Sequence, residues 1–168
     1  ELHASATDPG HILRAYEGLG SVQNHANQIP EAMATFQTML KLATDQGDCP
    51  MQVSALNKLA GVVGLKLGQF QQAEAYLQRA DQLANGIDDH SGAAESSLIR
   101  CMMCTAMADF DGVIAHMGHL AQVGERLGSK EFMSMGMNHV ASTLLYMTRF
   151  DEAWEKAQEA LAVAQEIG

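Results

Sequence analysis

Aromatic side chains are scarce, making up 5% of the 168 residues with a single tryptophan. Packing therefore leans on small residues and on 11 methionines rather than on a few large rings. Basic residues are few as well. Ten Lys and Arg stand against 20 Asp and Glu, and no two of the ten are adjacent, which argues against a general nucleic-acid binder. The net charge of −10 is read first as a source of solubility. Three cysteines, an odd number without a framework spacing, give no disulfide scaffold and fit reduced thiols in a cytoplasmic protein. No apolar run approaches the ~18 residues of a membrane span, and no signal peptide opens the chain. A phosphate-binding glycine loop and a Ser/His/Asp arrangement are both missing, so no catalytic residue, cofactor or enzyme activity is expected.

What the chain does have is a repeat. Across Ala55 to Asp89, Leu56, Leu59, Ala60, Val63 and Leu67 recur at helical spacing. After a turn at Leu67-Gly68-Gln69, Phe70, Ala73, Leu77, Ala80 and Ala84 do the same, so the stretch reads as two antiparallel helices. Phe70 wedges the turn, and small residues (Gly61, Ala73, Ala80) let the two backbones approach. A hairpin of this size cannot bury its own apolar face and needs copies beside it. The wedge position recurs as Ile29, Phe70, Phe110 and Phe150, at spacings of 41, 40 and 40 residues. Nine residues before each wedge stand Gly20, Gly61, Cys101 and Ala141, all small. Three after each stand Ala32, Ala73, Val113 and Ala153.

The strings YEGLG (16–20), LKLGQFQQAEAYLQRA (65–80) and TRFDEAWEKAQEAL (148–161) resemble tetratricopeptide repeats. The ~40-residue period looks most like the long-repeat subset of that family. The resemblance covers nearly the whole chain and implies an all-α, right-handed α-α superhelix, a solenoid of four helix hairpins. These are expected at about 9–48, 50–89, 91–128 and 130–168, in a single domain over residues 1–168.

Pro9, Pro30 and Pro50 are placed to open helices, with Thr7 or Asp8 as the first cap and Asp48 before the third. The later helices are expected from Ser91 to Met107, Phe110 to Leu127, Lys130 to Met147 (capped by Ser129) and Phe150 to Ile167. Gly20 and Gly61 have a reason to be inside helices, close approach of the partner. Gly64 and Gly136 have none, and each helical glycine costs about 1 kcal/mol against alanine. Glu1 to Asp8 lines up with Lys41 to Asp48, and neither end offers a polar capping helix, so the chain is expected to be a piece of a longer array. Leu161, Val163, Ala164 and Ile167 are then expected to be exposed and to favour end-to-end self-association.

One constellation invites a metal: Cys101-x-x-Cys104 followed by His116-x-x-His119. The histidine spacing misses the zinc-finger pattern, and the cysteines fall on inward positions while the histidines turn away. Buried thiols are the preferred reading, and no metal site is expected. The remaining histidines are dispersed, although His139 has a position from which it could face a groove. Asp109, Asp111, Asp151 and Glu152 stand at helix starts, where carboxylates favour the dipole.

In tetratricopeptide arrays the first helix of each pair lines a concave face. The resemblance places ligand-facing positions on Glu17, Ser21, Asn24 and His25, then on Lys58, Val62, Leu65 and Lys66. In the third and fourth pairs it places them on Leu98, Met102 and Thr105, and on Met135, Asn138, Ser142 and Leu145. Lys58 matches one lysine of the carboxylate clamp of chaperone-binding members, but the asparagine expected four residues on is Val62. The surface suits an amphipathic helix or extended apolar segment steered by Lys58 and Lys66 instead. The expected function is a non-catalytic protein-interaction module, its partner another protein or a segment of its own parent chain, with no nucleic acid and no membrane. The rival is a segment of a larger bacterial regulator (ATPase, cyclase or transcription factor) that senses an effector or signal peptide.

Overall fold

A computed structural model describes residues 9–167. These residues form eight α-helices and, among them, no strand. In order they are α1 (Pro9–His25), α2 (Ile29–Gln46), α3 (Cys49–Gly61), α4 (Phe70–Gly86), α5 (His90–Ala106), α6 (Phe110–Leu127), α7 (Lys130–Tyr146) and α8 (Phe150–Gln165). A π-helical turn, Val62–Lys66, continues α3. The prolines sit in the first turns of α1, α2 and α3, as their missing N–H and fixed φ predict. Asp48 caps α3 by accepting from the Met51 N–H at 3.1 Å, Asp109 caps α6 from Gly112 at 3.0 Å, and Ser129 caps α7 from Phe132 at 3.4 Å. The cap expected at Thr7 or Asp8 and the alignment of Glu1 to Asp8 lie outside the described residues. No helix is long and apolar enough to cross a membrane, among the described residues.

The chain divides into two compact units, one up to Ser96 and one from Ser97, with the boundary inside α5. In the first unit α1 packs on α2, α2 on α3 and α3 on α4. Its interior is closed around Leu13, Phe36, Met39, Leu56, Leu59 and Leu77. Polar side chains tie α3 to the first half of α5: Asn57, fully buried, donates from Nδ2 to the Gly92 carbonyl at 2.9 Å and accepts from Ser96 Oγ at 2.9 Å. In the second unit α6 packs on α7 and α7 on α8, around Met103, Met117, Leu120, Val140 and Leu144.

Helix starts fall 20 residues apart with one exception, 21 from Cys49 to Phe70. The extra residue is in the helix, not in the loop. Helices α1, α5 and α7 each have 17 residues, whereas α3 and its π-turn together have 13 plus 5. A π-turn lets a helix take in one surplus residue while the segment after it keeps its orientation. The closing turns show the same displacement. In six of the seven turns the residue before the next helix donates to the carbonyl five back, as in Asp48 to Ala43 and Asp109 to Cys104. After the π-turn the bond from Gln69 reaches six back, to Val63.

This surplus residue corrects one glycine assignment. Counted forward from the helix starts, the counterpart of Gly20, Cys101 and Ala141 is the fully buried Ala60, not Gly61. A Cβ on Gly61 would meet nothing within 4 Å, so Gly61 does not serve close approach. A Cβ on Gly20 would lie 2.5 Å from the Phe36 ring. Gly136, for which the sequence offered no reason, does have one. A Cβ there would collide with the Met117 carbonyl and stand 2.8 Å from the Ala121 nitrogen, so α7 runs against the backbone of α6. Gly64 is buried within the π-turn.

Candidate functional site

Most ligand-facing positions expected in the first unit are engaged by the fold. Glu17 is half-buried and its carboxylate accepts from Ser54 Oγ at 2.7 Å. His25 is exposed, and its Nδ1 donates to the Ser21 carbonyl at 2.7 Å. Ser21 and Asn24 are half-buried. Lys58 pairs with Glu95 at 2.6 Å, so its charge is answered within the unit and not offered to a partner. Val62 is 1% exposed and belongs to the core. Its assignment to a ligand face is corrected: the π-turn shifts it onto the inward register of Met103 and Thr143. Leu65 is half-buried, and of Lys58, Val62, Leu65 and Lys66 only Lys66 is exposed.

Several positions expected in the second unit come together. A cleft of about 460 Å³ lies between the end of α5, the start of α6 and the last two turns of α7. From α5 come Cys101, Met102, Thr105 and Ala106; from α6, Phe110 and Val113; from α7, His139, Ser142, Thr143 and Tyr146. Of the expected positions the cleft gathers Met102, Thr105 and Ser142. Leu98, Met135, Asn138 and Leu145 are not part of it. Met102 is 54% exposed and Tyr146 79%, large apolar surfaces held open to solvent. The Phe110 and Tyr146 rings lie nearly parallel, 10° apart in plane with centroids 6.5 Å apart. Sequence reasoning gave Phe110 only the wedge role and missed Tyr146. The signal was the spacing His139, Ser142, Tyr146, one stripe along α7 at three and four residues.

Charge is nearly absent from the lining, where His139 is the sole side chain of the usual ionisable bases or acids besides the weakly acidic Cys101 and Tyr146. Burial pushes the Cys101 thiol up from its ordinary value. A thiol held protonated is a poor nucleophile. Cys101 and Cys104 are buried, His119 is exposed and His116 half-buried. No group of three or more His, Cys, Asp or Glu side chains gathers as a metal site among the described residues. A second, smaller cleft of about 350 Å³ lies between α6 and α7, bordered by Ile114, Met137 and Lys156. Lys156 there is paired with Glu159 at 2.6 Å.

The fold is similar to that in the crystal structure of BtubC (BKLC) from P. vanneervenii, with a TM-score of 0.75 and 16% sequence identity. The match covers 95% of this chain and 66% of that one, so the chain spans just under two thirds of its length. At that identity the likeness is one of fold, and it fits an all-helical protein of the helical-repeat kind. No protein-family model matches the chain, and no curated protein matches it in sequence.

Proposed function

We propose that the chain is a non-catalytic interaction module, a tetratricopeptide-like right-handed array of four hairpins in one domain, that binds a peptide segment of another protein or of its own parent chain. The observation that carries this reading is the cleft of the second unit. It sets exposed apolar side chains, Met102 and Tyr146, beside hydroxyls on rigid helices. Apolar surface held open at such cost in hydration is the usual mark of a partner's landing place. The expected steering by Lys58 is dropped, because Glu95 already holds it.

A second reading draws on the size of the same cleft. About 460 Å³ falls within the range of small-molecule sites, which favours an effector-sensing segment of a larger bacterial regulator. Affinity capture from the source cell's lysate separates the two, with the protein and its Met102→Glu variant as baits and mass spectrometry as readout. Met102 is exposed, so the variant should fold while placing a charge in the cleft. A protein retained by the first bait and lost from the second supports the interaction module. A small molecule with the same pattern supports the sensor. Equal retention by both baits places recognition elsewhere and defeats both readings of the cleft.

A further inference from the structure

We infer that the cleft takes an arginine side chain, flanked by apolar residues, on a peptide segment of a partner protein; this rests on the peptide-binding reading and specifies its ligand. The ground is the polarity of the hydrogen-bonding groups that face the opening. Thr105 Oγ1 donates to the Cys101 carbonyl at 2.8 Å, Ser142 Oγ to Asn138 at 2.9 Å and Thr143 Oγ1 to His139 at 2.8 Å. Each hydroxyl hydrogen is therefore committed to its own helix, and only lone pairs remain for a ligand. His139 donates from Nδ1 to the Met135 carbonyl at 3.0 Å, which leaves Nε2 of the neutral ring as a further lone pair. The lining holds no Lys, Arg, Asn, Gln or Trp. Of the side chains with oxygen or nitrogen in the lining, only the Tyr146 phenol keeps a hydrogen to donate. A carboxylate would therefore meet mostly acceptors, whereas a guanidinium, five donors in a planar fork, meets partners, the phenol oxygen among them.

Two further features select a cation with an apolar stem. The nearly parallel Phe110 and Tyr146 rings offer faces on which a guanidinium stacks, and Met102 gives a deformable apolar wall for its stem and for the neighbouring residue. The start of α6, which would otherwise draw an anion, is already occupied by carboxylates: Asp109 accepts from Gly112 at 3.0 Å and Asp111 follows in the first turn. The chain as a whole, at −10, attracts a basic segment over distance.

The test is selection from a random peptide library displayed on phage, against the full chain, Ser142→Lys and Trp154→Lys. Ser142 and Trp154 are both exposed, and Trp154 on α8 lies outside the cleft. The full chain and Trp154→Lys are expected to recover peptides with arginine beside apolar residues, and Ser142→Lys to lose them. The strongest peptide, resynthesised with citrulline for arginine, keeps its shape without its charge and should bind about tenfold more weakly. Equal binding of the citrulline peptide overturns the inference but leaves the peptide reading in place. So does recovery of acidic or uncharged peptides, or of peptides that Ser142→Lys still binds. Recovery of no peptide by the full chain overturns the peptide reading and the inference together.

Discussion

The two units spend their apolar residues differently. In the first, the interior is sealed around Phe36, Met39, Leu56 and Leu77, and its polar groups are turned inward upon one another: Asn57 with Gly92 and Ser96, Glu17 with Ser54, Lys58 with Glu95. In the second, the core is built from Met103, Met117, Cys101 and Cys104. Both units leave apolar side chains in water, Leu19 and Val22 in the first, Met102 and Tyr146 in the second, and the latter two border one cleft. A buried amide and its partners fix one helix against another at the cost of leaving nothing for a ligand. Methionines and thiols fill space softly and permit an open edge. The contrast gives the same repeat pattern a hydrogen-bonded interior in one unit and a softer one beside the candidate cleft in the other.

Deletions should separate the units most sharply. Removing Gly64 takes out the surplus residue, turns α3 and its π-turn into a 17-residue helix like α1, α5 and α7, and lets Gln69 bond five residues back. Cooperative melting should survive within about 5 °C. Removing Ala141 from α7, which has no π-turn, rotates everything after it by about 100° and turns the buried Leu144 outward. That protein should lose its cooperative transition. Thermal melts followed by circular dichroism decide it, and loss of the transition in the Gly64 deletion would sink the account of the π-turn.

Substitution of Asn57 by Ala should follow in size. It removes two hydrogen bonds at a fully buried position, leaves the Ser96 hydroxyl with only the Gly92 carbonyl at 3.2 Å and opens a void, together worth about 3 kcal/mol. Urea unfolding measures this directly. A loss below about 1 kcal/mol would mean that the polar stitching of the first unit contributes little.

How far these features could be read from the sequence depends on what each one rests upon. The helices were legible because the wedge residues Ile29, Phe70, Phe110 and Phe150 and the turn residues Gly47 and Gly128 signal through local chemistry alone. The 41-residue spacing announced one extra residue, but a loop could have absorbed it as readily as a helix. Counting back from Phe70 placed Gly61 in contact and Val62 on the groove, and both assignments failed for that one reason. In the cleft, Met102, Thr105 and Ser142 followed from register, whereas Tyr146 was missed because its role depends on where its ring lies relative to Phe110. Donor and acceptor polarity was hidden as well, since Thr105 and Ser142 could equally have pointed their hydrogens outward.

Glycine substitutions then test register with opposite signs. Gly136→Ala drives a methyl group into the α6 backbone at Met117 and Ala121 and should cost about 2 kcal/mol even after the gain in helix propensity. Gly61→Ala meets open space at φ −59 and ψ −45 and should stabilise by about 0.5–1 kcal/mol. Equal signs in denaturant titrations would contradict the one-residue displacement of α3.

The smallest effect concerns the soft core of the second unit. Burial raises the Cys101 thiol above its ordinary 9.0, so the folded state holds the proton more tightly than the unfolded chain. A raised folded pKa gives stability that is fully present below the unfolded value and is lost as pH rises through the folded one. The melting temperature of the protein should therefore fall more steeply above about pH 9 than that of Cys101→Ala, whose side chain matches Ala141 at the equivalent position. At neutral pH the variant should be the less stable by about 1 kcal/mol, for the lost sulfur contacts, and the two curves should converge as the medium turns alkaline. Parallel curves from about pH 7 to about pH 10.5 would show that the thiol reaches water more easily than its burial implies. The cleft wall beneath Met102 would then be looser than the closed core of the first unit by more than its side chains alone require.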